Sequence, residues 1–165
     1  MTIYTDGACS ANGSANSRGG FGVVVTEEDN LIDSYQKLDV TDTTNNEMEL
    51  KAILYTLIKY GKVRPAPNVF SDSAYCVQTL TQWMYGWANR GWLKSDNKTP
   101  ENLEIIKAYY NLEQQGYKIN LYKIKGHAGA QWNEEADKLA TGKTTPAQLW
   151  NKYNGRKIRF NGTDE

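Results

Sequence analysis

The chain has 165 residues, enough for one domain with a substantial core. Its 19 basic and 19 acidic residues give a net charge of zero, which excludes a global positive field and leaves any nucleic-acid contact to local patches. Two cysteines and one histidine exclude a disulfide framework and a histidine-rich zinc site. No signal pattern opens the chain and no apolar run approaches the ~20 residues that span a bilayer, so we expect a cytoplasmic protein without a membrane partner. Nothing in the sequence demands more than a monomer, which is the expected state.

Strand patterns open the chain. Residues 2–6, 20–26 and 31–38 each read as a β-strand, because β-branched and aromatic residues are frequent in them. The polar residues 27–30 separate the second pattern from the third and contain an Asp-Asn pair, which predicts an antiparallel hairpin.

A long amphipathic helix is predicted over residues 45–60, where apolar residues recur at helical spacing. Thr44 precedes it and Glu47 follows three residues later, which fits a capping box with Thr44 as the N-cap. Gly61 follows the last apolar positions and fits a helix stop. The sequence therefore indicates both ends of this helix.

Helices and strands alternate in the second half of the chain. We predict strands at 68–71 and 118–125, and helices at 73–85, 101–115 and 131–141. Three strands followed by helix, strand, helices, strand and helix indicate a mixed sheet with helices packed on it, an α/β or α+β domain. Residues 142–165 are locally basic, and the sequence leaves their order open.

Four carboxylates are placed at the edges of these predicted elements, at Asp6, Glu49, Asp72 and Asp137. Carboxylates rarely turn toward a core unless something cationic holds them. Four converging oxygen ligands would suit Mg²⁺ or Mn²⁺, which predicts metal-assisted phosphoryl chemistry. Taken singly, each acid also has an ordinary interpretation. Asp72 could cap the next helix, and Asp6 before Gly7 could be a turn residue.

The segments around the acids form an ordered set of motifs: Thr5-Asp6-Gly7-Ala8-Cys9, Thr44-Asn45-Asn46-Glu47-Met48-Glu49-Leu50, Ser71-Asp72-Ser73-Ala74-Tyr75, and Lys125-Gly126-His127-Ala128-Gly129 leading to Asn133 and Asp137. In this order and at these separations they resemble type 1 ribonuclease H. The resemblance implies a ribonuclease H-like α/β fold, with a five-stranded mixed sheet in the order 3-2-1-4-5 flanked by helices. It implies a catalytic domain at 1–141 and leaves 142–165 as a basic C-terminal extension.

The resemblance also implies a function, the endonucleolytic hydrolysis of the RNA strand of RNA–DNA hybrids by a two-metal-ion mechanism. Two Mg²⁺ ions, or Mn²⁺, would be held by Asp6, Glu49, Asp72 and Asp137. His127 matches the mobile loop histidine of the family, which suits a proton shuttle or a role in product release. We therefore expect an RNA–DNA hybrid as the partner.

Substrate contacts are expected at the start of the chain, around the first helix and in an aromatic protrusion, the tryptophan-rich stretch from Trp83 to Trp92. By resemblance they include Cys9, Asn12, Asn45, Asn46, Trp83, Trp87 and Trp92. Thr44 could contact a DNA phosphate as well as cap its helix, and Arg90 adds a charge for the sugar–phosphate backbone. The ordinary alternatives are helix capping for the asparagines and core packing for the tryptophans.

Three other functions stay open from sequence. The chain could be a catalytically weak hybrid-binding module, another nuclease of the same fold such as a resolvase, integrase or exonuclease, or a metal-dependent phosphatase. Ala88 and Asn89 make the protrusion less basic than is common in the family, so we expect weaker hybrid binding. The presence of all four acids and His127 favours cleavage over binding alone.

Overall fold

The computed structural model describes residues 1–11, 15–125 and 130–162, with side chains as far as residue 155. One mixed sheet contains five strands, β1 Thr2–Ser10, β2 Arg18–Glu27, β3 Asn30–Thr41, β4 Asn68–Ser71 and β5 Asn120–Lys123. The strand order is 3-2-1-4-5. The first three strands are antiparallel neighbours, whereas β4 runs parallel to β1 and β5 parallel to β4. The predicted fold and strand order are confirmed.

Six α-helices flank the sheet in the described residues, α1 Asn45–Tyr60, α2 Ala74–Gln78, α3 Met84–Asn89, α4 Leu103–Gln114, α5 Ala130–Thr141 and α6 Pro146–Gly162. A π-helical segment, Thr79–Trp83, joins α2 to α3. No helix in the described ranges has both the length and the apolar character that crossing a membrane requires.

The ends of α1 are those predicted from sequence. Thr44 has extended backbone angles, and its hydroxyl accepts a hydrogen bond from the Glu47 N–H at 3.1 Å. Gly61 ends the helix, and its N–H bonds the Leu57 carbonyl. The Glu47 carboxylate accepts from the Thr43 hydroxyl at 2.9 Å, which adds a second link at the helix start.

Helices cover both faces of the sheet at strand β2. Val23 and Val25 face the main core beneath α1 and α4, whereas Val24 faces a second core beneath α5 and α6. Successive side chains of a strand point to opposite faces, so one strand contributes to both cores. The sheet is therefore held between two helical layers, and β1, its central strand, carries Asp6.

The hairpin between β2 and β3 forms as the sequence predicts. Glu28 and Asp29 both have positive φ, at 51° and 63°, the combination that a type I′ turn requires. The Asp29 carboxylate accepts a hydrogen bond from the indole N–H of Trp132 at 2.7 Å. The turn is thereby attached to the start of α5.

Several predicted bounds differ from the structure by one to three residues, and two elements end four residues later than predicted. β1 continues to Ser10 instead of stopping at Asp6, because its ladder with β2 extends to the pair of Ser10 and Arg18. Asp6 is therefore a mid-strand residue and not a turn residue. The helix predicted at 73–85 continues to Asn89, since the π-helical segment absorbs a change of pitch without breaking the helix.

The C-terminal segment, whose order the sequence left open, contains α6, which packs on the second core. Leu149 is 1% exposed among Val24, Leu31 and other apolar side chains of this core. Lys152 and Tyr153 both donate to the Glu135 carboxylate of α5, at 2.6 and 2.7 Å. Helix α6 is thus joined to α5 by apolar and polar contacts.

Candidate active site

Three carboxylates from different elements meet at one point. Oxygens of Asp6 in β1, Glu49 in α1 and Asp72 after β4 all lie within 4.8 Å of one another. The parallel register of β1 and β4 pairs Tyr4 with Phe70, so Asp6 and Asp72, each two residues further on, lie at equivalent positions on the same face. The topology of the sheet therefore brings two of the acids together.

Glu49 reaches this point because α1 lies directly against β1. The Gly7 N–H donates to the Asp6 carboxylate at 2.9 Å and also to the Glu49 carboxylate. A single peptide group thereby orients both acids, and such charge-assisted bonds are stronger than neutral ones.

Asp137 joins the group from α5, which packs on β1 and β2. Its side chain is exposed, and it lies close enough to Asp6 to act on the pKa of that carboxyl. The structure thus brings together all four acids that the sequence singles out, Asp6, Glu49, Asp72 and Asp137.

The four acids make the site strongly negative. Asp6 and Glu49 are only 7% and 6% exposed. Burial, together with the negative charges of Asp72 and Asp137, raises the pKa of Asp6 to about 7. Burial and the charges of Asp6 and Asp72 raise the pKa of Glu49 to about 10. Without a cation the group retains protons near neutrality, and a hard divalent cation would relieve both the burial cost and the repulsion.

The predicted substrate residues nearest to the acids surround the start of α1. Asn45 and Asn46 are exposed in its first turn, and Thr44 is half-buried with its hydroxyl occupied as the cap. Cys9 is half-buried further along β1, with its sulfur 3.4 Å from the Thr43 carbonyl oxygen. These residues gather at the start of α1, the helix that carries Glu49.

The aromatic residues of the protrusion have unequal exposure. Trp83 is 41% exposed, whereas Trp87 is 8% exposed and belongs to the main core. Trp92 is half-buried and meets the Tyr110 ring edge-on at 5.3 Å. Trp83, Trp87 and Arg90 nevertheless line one open groove of about 450 Å³. Core packing, the alternative left open for the tryptophans, therefore applies most to Trp87.

Two predicted site residues, Asn12 and His127, lie outside the described residues. Sequence reasoning missed two other features of the site. It interpreted Asp6-Gly7 as a possible turn, although Gly7 lies within β1 against α1. It also offered Asp72 as the cap of α2. The cap is Ser73, whose hydroxyl accepts a hydrogen bond from the Cys76 N–H. A glycine inside a strand pattern, as Gly22 is, or directly after one, as Gly7 is, was the available signal of a close backbone approach.

Known proteins resemble the chain in sequence and in structure. The RNase H family model matches residues 1–145. A ribonuclease H of Wolbachia sp. subsp. Drosophila simulans (strain wRi) is 38% identical over 140 residues, 85% of this chain and 92% of the relative. One from Agrobacterium fabrum (strain C58) is 39% identical over 142 residues, 85% and 91% of the two chains.

The crystal structure of LC11-RNase H1 in complex with RNA/DNA hybrid has a TM-score of 0.63 at 23% identity and covers 86% of this chain and 94% of that one. At that identity the match concerns the fold, which agrees with the sheet order found here. The matches of the family model and the two bacterial relatives extend over most of the chain. The chain belongs to the ribonuclease H family.

Proposed function

We propose that this chain is a metal-dependent endoribonuclease that hydrolyses the RNA strand of RNA–DNA hybrids. The observation that carries the proposal is the convergence of Asp6, Glu49 and Asp72, with oxygens within 4.8 Å of one another, on a ribonuclease H fold. Relatives that share more than a third of their residues with it bear the name ribonuclease H.

The donor set fits a hard divalent cation, since carboxylate oxygens are its preferred ligands and the buried pair needs a positive charge. We propose two Mg²⁺ ions, with Mn²⁺ as the substitute. Asp6, Glu49, Asp72 and Asp137 would hold them, and Asp6, which interacts with the other acids, would be shared. When bound, such a pair stabilises the attacking and leaving oxygens of an in-line displacement.

The protein's own groups would then orient the substrate and move protons. The Gly7 N–H keeps Asp6 and Glu49 in place. His127, between glycines in the sequence, is proposed to carry a proton or to assist product release.

Recognition of RNA would rest on the surface at the start of α1. The exposed amides of Asn45 and Asn46 suit hydrogen bonds to 2′-hydroxyls and base edges in a shallow minor groove. The groove of Trp83 and Arg90 would receive the sugar–phosphate backbone of the DNA strand. Cys9, Asn12, Thr44, Trp87 and Trp92 complete the proposed contacts.

We also propose that the chain acts as a monomer in the cytoplasm, and that residues 1–141 are its catalytic domain, with 142–165 as an extension. Light scattering of the purified chain at assay concentrations tests whether it is a monomer. A dimer would contradict it.

The decisive experiment is cleavage of an end-labelled RNA–DNA hybrid in Mg²⁺, in EDTA and with the Asp72→Asn variant. Cutting of the RNA strand alone, dependent on metal and lost in the variant, is expected. Tight hybrid binding without cutting would instead favour the binding module. Duplex DNA, duplex RNA, a four-way junction and a small phosphomonoester separate the other nucleases and the phosphatase.

A further inference from the structure

Two glycines border Asp6 in space. Gly7 follows it in the chain, and Gly22 is its partner in the ladder between β1 and β2. Each lies beneath a helix that carries another of the acids. Neither has the positive φ that makes glycine necessary for conformational reasons. Glycine weakens the interior of a strand. Its presence at these two positions is therefore best explained by the lack of space for a side chain.

Gly7 lies under the first turn of α1. A Cβ at this position would be 2.6 Å from the Met48 carbonyl carbon and closer still to the Glu49 nitrogen. Both are backbone atoms, which cannot swing aside as the end of a side chain can. Only a residue without a side chain lets α1 approach β1 so closely that the Gly7 N–H reaches the Glu49 carboxylate.

Gly22 has the same relation to α5 on the opposite face of the sheet. A Cβ there would be 2.5 Å from the Ala136 carbonyl oxygen and 2.6 Å from the Leu139 Cβ. Ala136 directly precedes Asp137. The contact therefore sets how close the backbone that carries Asp137 comes to the strand beside Asp6.

We propose that Gly7 and Gly22 are positioning residues of the active site, which fix the approach of α1 and α5 to Asp6 and hence the spacing of the metal-binding carboxylates. This inference rests on the proposed function. Moving the Met48 carbon from 2.6 Å to an ordinary contact distance of 3.4 Å displaces the start of α1 by about 0.8 Å. Misplacement of that order can cost about 100-fold in rate.

The test compares Gly7→Ala and Gly22→Ala with Gly61→Ala. Gly61 is also crowded, since its Cβ would meet the Leu57 carbonyl oxygen and lie 2.9 Å from the Tyr117 ring. It ends α1, twelve residues from Glu49 and therefore about 18 Å along the helix. The control thus carries the same kind of overpacking without touching the acids.

Four quantities are measured for each variant: the free energy of unfolding in urea, the Mg²⁺ affinity by calorimetry, and kcat and KM on a hybrid across Mg²⁺ concentrations. Gly7→Ala and Gly22→Ala should bind Mg²⁺ at least 10-fold more weakly and lose about 100-fold in kcat, with KM changed less than three-fold. Gly61→Ala should lose stability but keep Mg²⁺ affinity and kcat.

A folded Gly7→Ala and a folded Gly22→Ala with wild-type Mg²⁺ affinity would overturn the inference. So would an equal loss in Gly61→Ala, because overpacking alone would then explain the effect. Mg²⁺ affinity and kinetics are measured for all variants with trimethylamine N-oxide, which favours the compact state and keeps a destabilised variant folded, whereas urea unfolding is measured without it. A wild-type chain that binds Mg²⁺ but cuts no hybrid would refute the proposed function. The comparison of Mg²⁺ affinities would still test whether Gly7 and Gly22 position the carboxylates.

Discussion

Asp6 and Glu49 combine burial with like charge, an arrangement that costs folding energy unless a cation is bound. Each is less than a tenth exposed, and each lies among other carboxylates. Burial and neighbouring charges raise the pKa of both groups. The same feature that prepares the site for metal therefore destabilises the metal-free fold.

The pH dependence of stability follows from these shifts. In EDTA the folded chain keeps the Asp6 proton up to about pH 7, whereas the unfolded chain releases it near 3.8. The free energy of unfolding should therefore fall as pH rises between these values, and the raised pKa of Glu49 extends the fall to higher pH. Glu49→Gln should flatten this fall and stabilise the metal-free chain at pH 8 by roughly 2 kcal/mol.

Urea unfolding at stepped pH in EDTA measures both effects. Glu101→Gln, which removes an exposed acid, serves as the control and should leave the profile unchanged within about 0.5 kcal/mol. A wild-type profile that stays flat or rises over this pH range would contradict the prediction.

Ser73 and Asp72 have separate roles at the start of α2. The Ser73 hydroxyl caps the helix, whereas Asp72 points to the other acids. Ser73→Ala should lower the free energy of unfolding by about 1 kcal/mol. Asp72→Asn should leave stability unchanged or raise it, and should abolish cleavage. Urea titration of the two variants measures which residue caps the helix. A loss of stability in Asp72→Asn would show that its carboxylate is needed as a cap.

At the scale of elements, the sequence predicts what depends on local chemistry. The bounds of α1 and β4 are those predicted, because the cap of Thr44 and the prolines before Asn68 mark them. The end of β1 was not predictable in this way. An Asp-Gly pair is a strong local turn signal, and only the long-range pairing of β1 with β2 overrides it.

The C-terminal helix is another element that long-range contacts decide. Its basic composition resembles a solvated tail, but Leu149 is buried among side chains of the sheet and of α5. Periodicity shows that a helix can form and not what covers it. The four acids, in contrast, could be chosen from the sequence, because their residue types and the motifs around them are local features that need no structure.

The contribution of α6 to stability can be tested by comparing a buried residue of this helix with its exposed neighbour. Leu149→Ala should cost about 2–5 kcal/mol, because it opens a cavity in the second core. Trp150→Ala, at the next residue, should change stability by less than about 1 kcal/mol, since that side chain is 38% exposed. Urea unfolding compares them, and equal small effects would mean that α6 contributes little to the fold.

At the scale of the whole molecule, a net charge of zero means that hybrid binding must rest on a few placed cations. Arg90 and Lys94 line the groove with Trp83, Asp96 offsets one of these charges, and Ala88 and Asn89 contribute none. Each cation that neutralises a phosphate adds roughly one to the slope of log affinity against log salt concentration. The salt dependence of binding should therefore be shallow, and Arg90 should account for a large share of it.

Arg90→Ala should raise KM for the hybrid several-fold, reduce the salt slope by roughly one and leave kcat nearly unchanged, because the groove that Arg90 lines includes none of the four acids. Lys62→Ala is the matched control, since Lys62 lies over the Tyr117 ring just beyond the far end of α1 and should alter neither quantity. Binding is measured in EDTA at several salt concentrations, so that cleavage does not interfere. An unchanged slope in Arg90→Ala, or an equal change in Lys62→Ala, would place the hybrid elsewhere on the surface. Local charge would then not direct the DNA strand into the protrusion.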